Sequence, residues 1–164
     1  MIDRIPVDFI QDDPFVDSAC VQAMTGACTG EPFFGEHDGK SYCVLHLPDA
    51  NKKEAFDVAV KKKLESQDFN YLEVWFPNKL RFGGIQIDQP ADFSGAVFNE
   101  GASFYNSTFR FEVNFRHATF IEGAQFGGAT LQRLLILSQL HFEREPISTK
   151  RGLKRTRISG VAHS

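Results

Sequence analysis

The chain has 164 residues, 42% apolar content and a formal net charge of −3, which leaves room for one domain with a small appendage. That charge is too small to argue for nucleic acid or an anionic membrane as a partner, and no apolar run approaches the ~18 residues needed to span a bilayer. The unusual count is 17 Phe against 3 Tyr and 1 Trp; Phe buries a large area with no polar group to satisfy, which favours a stacked apolar interior over a recognition surface.

Residues 1–48 read as an irregular segment with Gly, Pro and acidic residues scattered among all three cysteines. No basic stretch followed by an apolar one opens the chain, so a signal peptide is not expected. With an odd number of cysteines, this places the protein in a reducing, cytoplasmic setting. Cys20, Cys28, Cys43 and His46 form a candidate metal-ligand set. Three thiolates and one imidazole suit a single tetrahedral structural zinc ion, and Cys43-Val44-Leu45-His46 can offer two ligands from one tight turn. His37 is a substitute ligand. The gaps between the cysteines are loose, and the competing reading is three packed thiols beside a surface histidine. Four protein ligands leave no open coordination position, so zinc-dependent catalysis is the weakest of the functions considered. Residues 35–41 are one residue short of the phosphate-binding pattern ending in Gly-Lys-Ser and read as a polar turn.

Residues 49–68 read as a cap containing a helix over 49–66. Asp49 is the N-cap, and Phe56, Ala59, Val60 and Leu64 form one apolar stripe. Lys52, Lys53, Lys61, Lys62 and Lys63 fall mostly off that stripe and are expected on the solvated face.

Residues 69–131 are periodic. Large apolar anchors stand at Tyr71, Phe76, Phe82, Ile87, Phe93, Phe98, Phe104, Phe109, Phe115, Phe120, Phe126 and Leu131, in steps that alternate five and six residues without a break. Two positions before the last eight anchors come Ala91, Ala96, Ala102, Ser107, Val113, Ala118, Ala124 and Ala129. On an α-helix, anchors five apart would be separated by ~140° and could not share a face. Interior glycines would cost such a helix ~1 kcal/mol each. In an extended segment, residues i−2 and i point the same way, so each unit sends one small and one large side chain inward before turning a corner. Four such faces close a coil of 22 residues, and coils stacked ~4.8 Å apart pair their backbones. The twelve anchors make about three coils in a column on the order of 14 Å tall.

The segments Ala91-Asp92-Phe93-Ser94-Gly95, Ala96-Val97-Phe98, Ala102-Ser103-Phe104 and Ala124-Gln125-Phe126 resemble the A(D/N)(L/F)xx motif of pentapeptide-repeat proteins, in particular a Phe-rich bacterial subgroup with five- and six-residue steps. The resemblance implies a mainly β fold: a right-handed quadrilateral β-helix, here with an N-terminal helix and an irregular Cys/His segment. Similar proteins often carry a Cys-rich N-terminal stretch ending in a turn like Tyr42-Cys43-Val44-Leu45-His46.

Beyond Leu131, Leu137 and Phe142 keep the five- and six-residue step, but Leu135 and Leu140 replace the small inward residues, so the inward stack is expected to end there. Residues 132–142 read as a C-terminal cap over the open end, with a cap helix and a truncated or altered stretch of repeat as the two forms left open, and residues 143–164 as a basic, disordered tail. No acid/base constellation emerges: Glu100, Glu112, Glu122 and His117 fall near turns of a convex surface. The expected function is a non-enzymatic interaction or scaffold module with an unknown protein partner, no membrane and no nucleic acid; a homodimer is compatible with it. The alternative implied by the family is a topoisomerase-binding imitation of duplex DNA. A ~14 Å column imitating DNA should show on the order of eight negative charges. Residues 88–131 carry five acids offset by Arg110 and Arg116.

Overall fold

The computed structural model describes residues 20–23, 28 and 31–142, together with the backbone of residues 162–163. Most of the basic tail and the first 19 residues therefore lie outside the described residues. The repeat forms a four-faced β-solenoid of about three coils, each face built from two-residue parallel strands.

Between residues 75 and 142, each strand pairs with the one 22 residues away. Trp75–Phe76, Val97–Phe98, Thr119–Phe120 and His141–Phe142 make one face. Leu80–Arg81, Ala102–Ser103 and Ala124–Gln125 make the next. Gln86–Ile87, Thr108–Phe109 and Thr130–Leu131 make the third, and Ala91–Asp92, Val113–Asn114 and Leu135–Ile136 the fourth. Corners follow the anchors. The carbonyl of Phe93 accepts from Ala96 N at 3.1 Å, and Phe115 and Phe126 repeat the pattern with Ala118 and Ala129. The second residue after the anchor takes positive φ in successive coils: Glu73, Gly95, His117 and Gln139 on one edge, Gly84, Asn106 and Gly128 on another. This is the turn geometry that needs a left-handed residue at its third place.

All twelve anchors are buried, as are the eight small residues paired with the last eight. The rings stack in columns along the solenoid. Tyr71, Phe93 and Phe115 lie nearly parallel at 5.1 and 4.9 Å, and Phe76, Phe98 and Phe120 at 4.7 and 4.6 Å. Between columns the rings meet edge to face, as Phe104 meets Phe115 at 74°. The centroid spacings follow the separation of paired strands because each ring hangs from the same register position. Ser107, the polar member of the inward set, is satisfied locally: its hydroxyl donates to Phe104 O at 2.7 Å.

The solenoid does not stop at Leu131. Residues 132–142, expected as a cap, continue it through two faces of a further coil. Leu134 O accepts from Val113 N, Ile136 O from Phe115 N, and His141 N donates to Ala118 O. The backbone ladder is indifferent to side-chain size, and Leu135 and Leu140 sit half-buried at the end of the stack, where no packed coil limits their volume. The backbone of Ala162–His163 adds a parallel strand beside Thr130–Leu131.

At the N-terminal end, β1 (Phe33–His37) and β2 (Lys40–Cys43) form an antiparallel hairpin. Residues 35–41, read as a polar turn, thus span its tip, where Asp38 and Gly39 take positive φ of 49° and 69°. A 3-10 turn (Ala50–Lys52) leads into α1 (Lys53–Glu65), and the Asp49 carboxylate accepts from Asn51 N at 2.8 Å. α1 lays Phe56 edge-on against Phe76 at 5.4 Å, covering the first coil. Lys53 reaches Glu100 at 2.6 Å and Asp57 accepts from Asn78 Nδ2 at 3.0 Å, tying the helix to the wall. Two lysines assigned to the solvated face are buried: Lys52 and Lys63. Docking of the hairpin turn and the first coil against α1 covers a flank that helical periodicity reads as open.

Candidate metal centre

Cys20, Cys28, Cys43 and His46 converge. Their ligand atoms all lie within 4.8 Å of one another, and all four residues are buried. The elements that bring them together are short. Cys43 ends β2, and the next three residues form a tight turn in which Cys43 O accepts from His46 N and Leu47 N at 3.2 and 3.0 Å. That turn brings His46 Nδ1 to 3.0 Å from Cys43 Sγ. Cys20 stands before the 3-10 turn Val21–Ala23, and Cys28 N donates to Gln22 O, which folds the second thiol back beside the first. Cys28 Sγ lies 3.6 Å from Cys43 Sγ, and Cys20 Sγ 3.8 Å from His46 Nδ1. His37 is not part of the cluster: it is exposed at the hairpin tip beside Asp38, at 3.4 Å.

The donor set fits zinc. Zn–S near 2.3 Å and Zn–N near 2.0–2.1 Å imply ligand–ligand edges of roughly 3.5–3.8 Å in a tetrahedron. The observed contacts of 3.0, 3.6 and 3.8 Å bracket that range. The histidine tautomer also suits a ligand. His46 Nε2 lies 3.2 Å from Leu72 O; a carbonyl only accepts, so Nε2 carries the proton and Nδ1 turns its lone pair toward the sulfurs. Burial lowers the imidazole's proton affinity, keeping it neutral. Burial likewise pushes the Cys43 thiol up to about 12, so without a cation that thiol holds its proton. Metal binding would displace it as the site forms.

The turn carrying two of the four ligands is stitched to the solenoid. Leu45 O accepts from Trp75 N at 3.0 Å, and His46 Nε2–H donates to Leu72 O. Leu45 O also accepts from Lys52 Nζ at 3.0 Å. Sequence reading did not select Lys52 or Leu72. A buried lysine leaves no periodic trace, and a main-chain carbonyl leaves no residue-type signal. Among the described residues, no helix is long and apolar enough to cross a membrane.

Comparison with known proteins gives one family: residues 82–130 match a family described as pentapeptide repeats (9 copies). No curated protein and no solved structure matches the chain. The matched span falls within the coils that carry the stacked Phe columns and the 22-residue pairing. Motif, register and family match agree over that span: residues 82–130 are a pentapeptide-repeat segment.

Proposed function

We propose that this protein is a non-enzymatic binding scaffold, a rigid β-helix whose N-terminal end is sealed by a zinc-pinned cap and whose walls are offered to a protein partner. The observation that carries this reading is the attachment of the ligand turn to the first coil through Leu45 O–Trp75 N and His46 Nε2–Leu72 O. A metal held there acts on the end of the fold, where an uncovered coil would expose Tyr71 and Phe76. Cys20, Cys28, Cys43 and His46 would hold the ion, and its contribution is to cross-link three chain segments. The walls carry exposed apolar groups suited to a protein partner, among them Tyr105 and Phe111. Imitation of duplex DNA has less support. Arg110 sits 3.3 Å from Asp88 and Lys53 engages Glu100, so two of the five wall acids are already neutralised.

Metal analysis of protein purified without chelator tests the cap: one zinc per chain is expected, and loss of that zinc in Cys43→Ser. A zinc-free wild type overturns the ligand set. For the scaffold, a pull-down from the native host should recover a stoichiometric partner whose binding is lost in Tyr105→Ser with Phe111→Ser. A partner retained only through residues 1–68 would move the binding surface off the walls.

A further inference from the structure

Among the described residues, Lys52 is buried without an ion-pair partner to account for it. It is 3% exposed, and an ammonium withdrawn from water needs a compensating charge. Lys53 has Glu100 and Lys63 has Asp68, but among the described residues no carboxylate comes within ion-pair distance of Lys52. Its Nζ donates to Leu45 O at 3.0 Å and lies 4.8 and 5.5 Å from the ring centroids of Phe56 and Trp75. Burial lowers its proton affinity to about 7, and the groups that oppose that shift are Cys43, Asp49 and Cys20. Two of those three are candidate zinc ligands.

A divalent zinc with three thiolates and a neutral imidazole carries one net negative charge. We propose that Lys52 is the counter-cation of the metal centre: its ammonium neutralises that residual charge, and its bond to Leu45 O holds the turn that presents Cys43 and His46. The proposal rests on the zinc reading. It makes Lys52 a positioning and charge-balancing residue, outside the ligand set. It also accounts for a buried lysine whose other neighbours are a carbonyl, two aromatic faces and the charge of Asp49, which lies beyond ion-pair distance. Cation–π contact alone is a weak substitute for a full counter-charge.

The test uses the full chain, with zinc affinity measured by competition against a chromogenic chelator and melting temperature measured on the metal-free forms. Lys52→Met should weaken zinc binding by about tenfold or more, the range expected for outer partners of a metal site. Its metal-free form should melt no lower than wild type, because an apolar side chain of similar length removes an uncompensated charge. Lys52→Arg should keep zinc affinity within about threefold, since the charge is retained. Lys52→Gln keeps a donor for Leu45 O without the charge, and covers the case in which the Met variant does not fold; it too should lose about tenfold. Zinc affinity within about twofold of wild type in the Met or Gln variant overturns the counter-charge while leaving the ligand set standing. Loss of affinity together with a lower metal-free melting temperature in both neutral variants would assign Lys52 to packing and also overturn it. A wild type that binds no zinc overturns the ligand set itself.

Discussion

Phe98 shows how one residue carries the fold. Its ring lies between Phe76 at 4.7 Å and Phe120 at 4.6 Å, fully buried, with Phe93 tilted against its edge at 6.1 Å. Coils above and below are held by their own ladders and cannot close over a void. Phe98→Ala should therefore cost about 3–5 kcal/mol in urea unfolding, whereas the wall residue Phe111→Ala should stay within about 0.5 kcal/mol. At Asp68, burial would raise the carboxyl, but the Lys63 hydrogen bond and the Asn70 amide outweigh it and hold it below its ordinary value. A depressed carboxylate adds stability above its unfolded pKa and loses it as pH falls through the folded one. The stability gap between wild type and Asp68→Asn should therefore be full near pH 6 and shrink as pH falls below about 4.

At the scale of elements, the corners set the limits of substitution. Gly84 and Gly101 both take positive φ, at 69° and 74°, but differ in their surroundings. A Cβ on Gly84 meets nothing within 4 Å, while one on Gly101 would lie 2.6 Å from Gly123 O, a main-chain atom of the next coil. Gly84→Ala should cost about 1 kcal/mol, the left-handed backbone penalty alone. Gly101→Ala should cost at least about twice that, because two stacked corners must separate. Equal losses in thermal unfolding would show that the corners are looser than their ladder implies. α1 belongs to the same account: it lays Phe56 on the first coil and buries Lys63 over the Tyr71 ring, so its inner flank is wider than the stripe Phe56, Ala59, Val60, Leu64.

For the whole molecule, the question is how a solenoid ends. A stack of coils leaves an open apolar face and unpaired strand edges at each end. The N-terminal end is covered by α1 and the Cys/His turn, joined to the first coil by main-chain and imidazole hydrogen bonds. If zinc pins that cover, stripping it with a strong chelator should lower the melting temperature by at least about 5 °C, with recovery on adding zinc back. Deleting residues 1–68 would uncover Tyr71 and Phe76, and the product should aggregate or bind a hydrophobic dye, read by light scattering and dye fluorescence.

The anchors from Tyr71 to Leu131 and the 22-residue coil were legible by themselves, because inward and outward directions alternate in extended chain and four faces in five- and six-residue steps close a coil of that length. The candidate ligands could be named from residue type and from the turn at Cys43–His46. Their convergence could not, since Cys20 and Cys28 meet that turn only through the fold of the N-terminal segment. The extension past Leu131 was half legible: Leu137 and Phe142 keep the anchor step, but strand pairing is made by main-chain groups, which carry no residue-type signature once the small inward residues disappear. Lys52 was misplaced for the converse reason: helical periodicity reports one flank of a helix, and whether a second flank is covered depends on what docks there. Local pattern, then, determined the solenoid, its period and its interior. Tertiary structure alone decided where the solenoid ends, which lysines are buried, and that three thiols and an imidazole share one site, because each depends on contacts between segments whose separation in the chain follows no repeat.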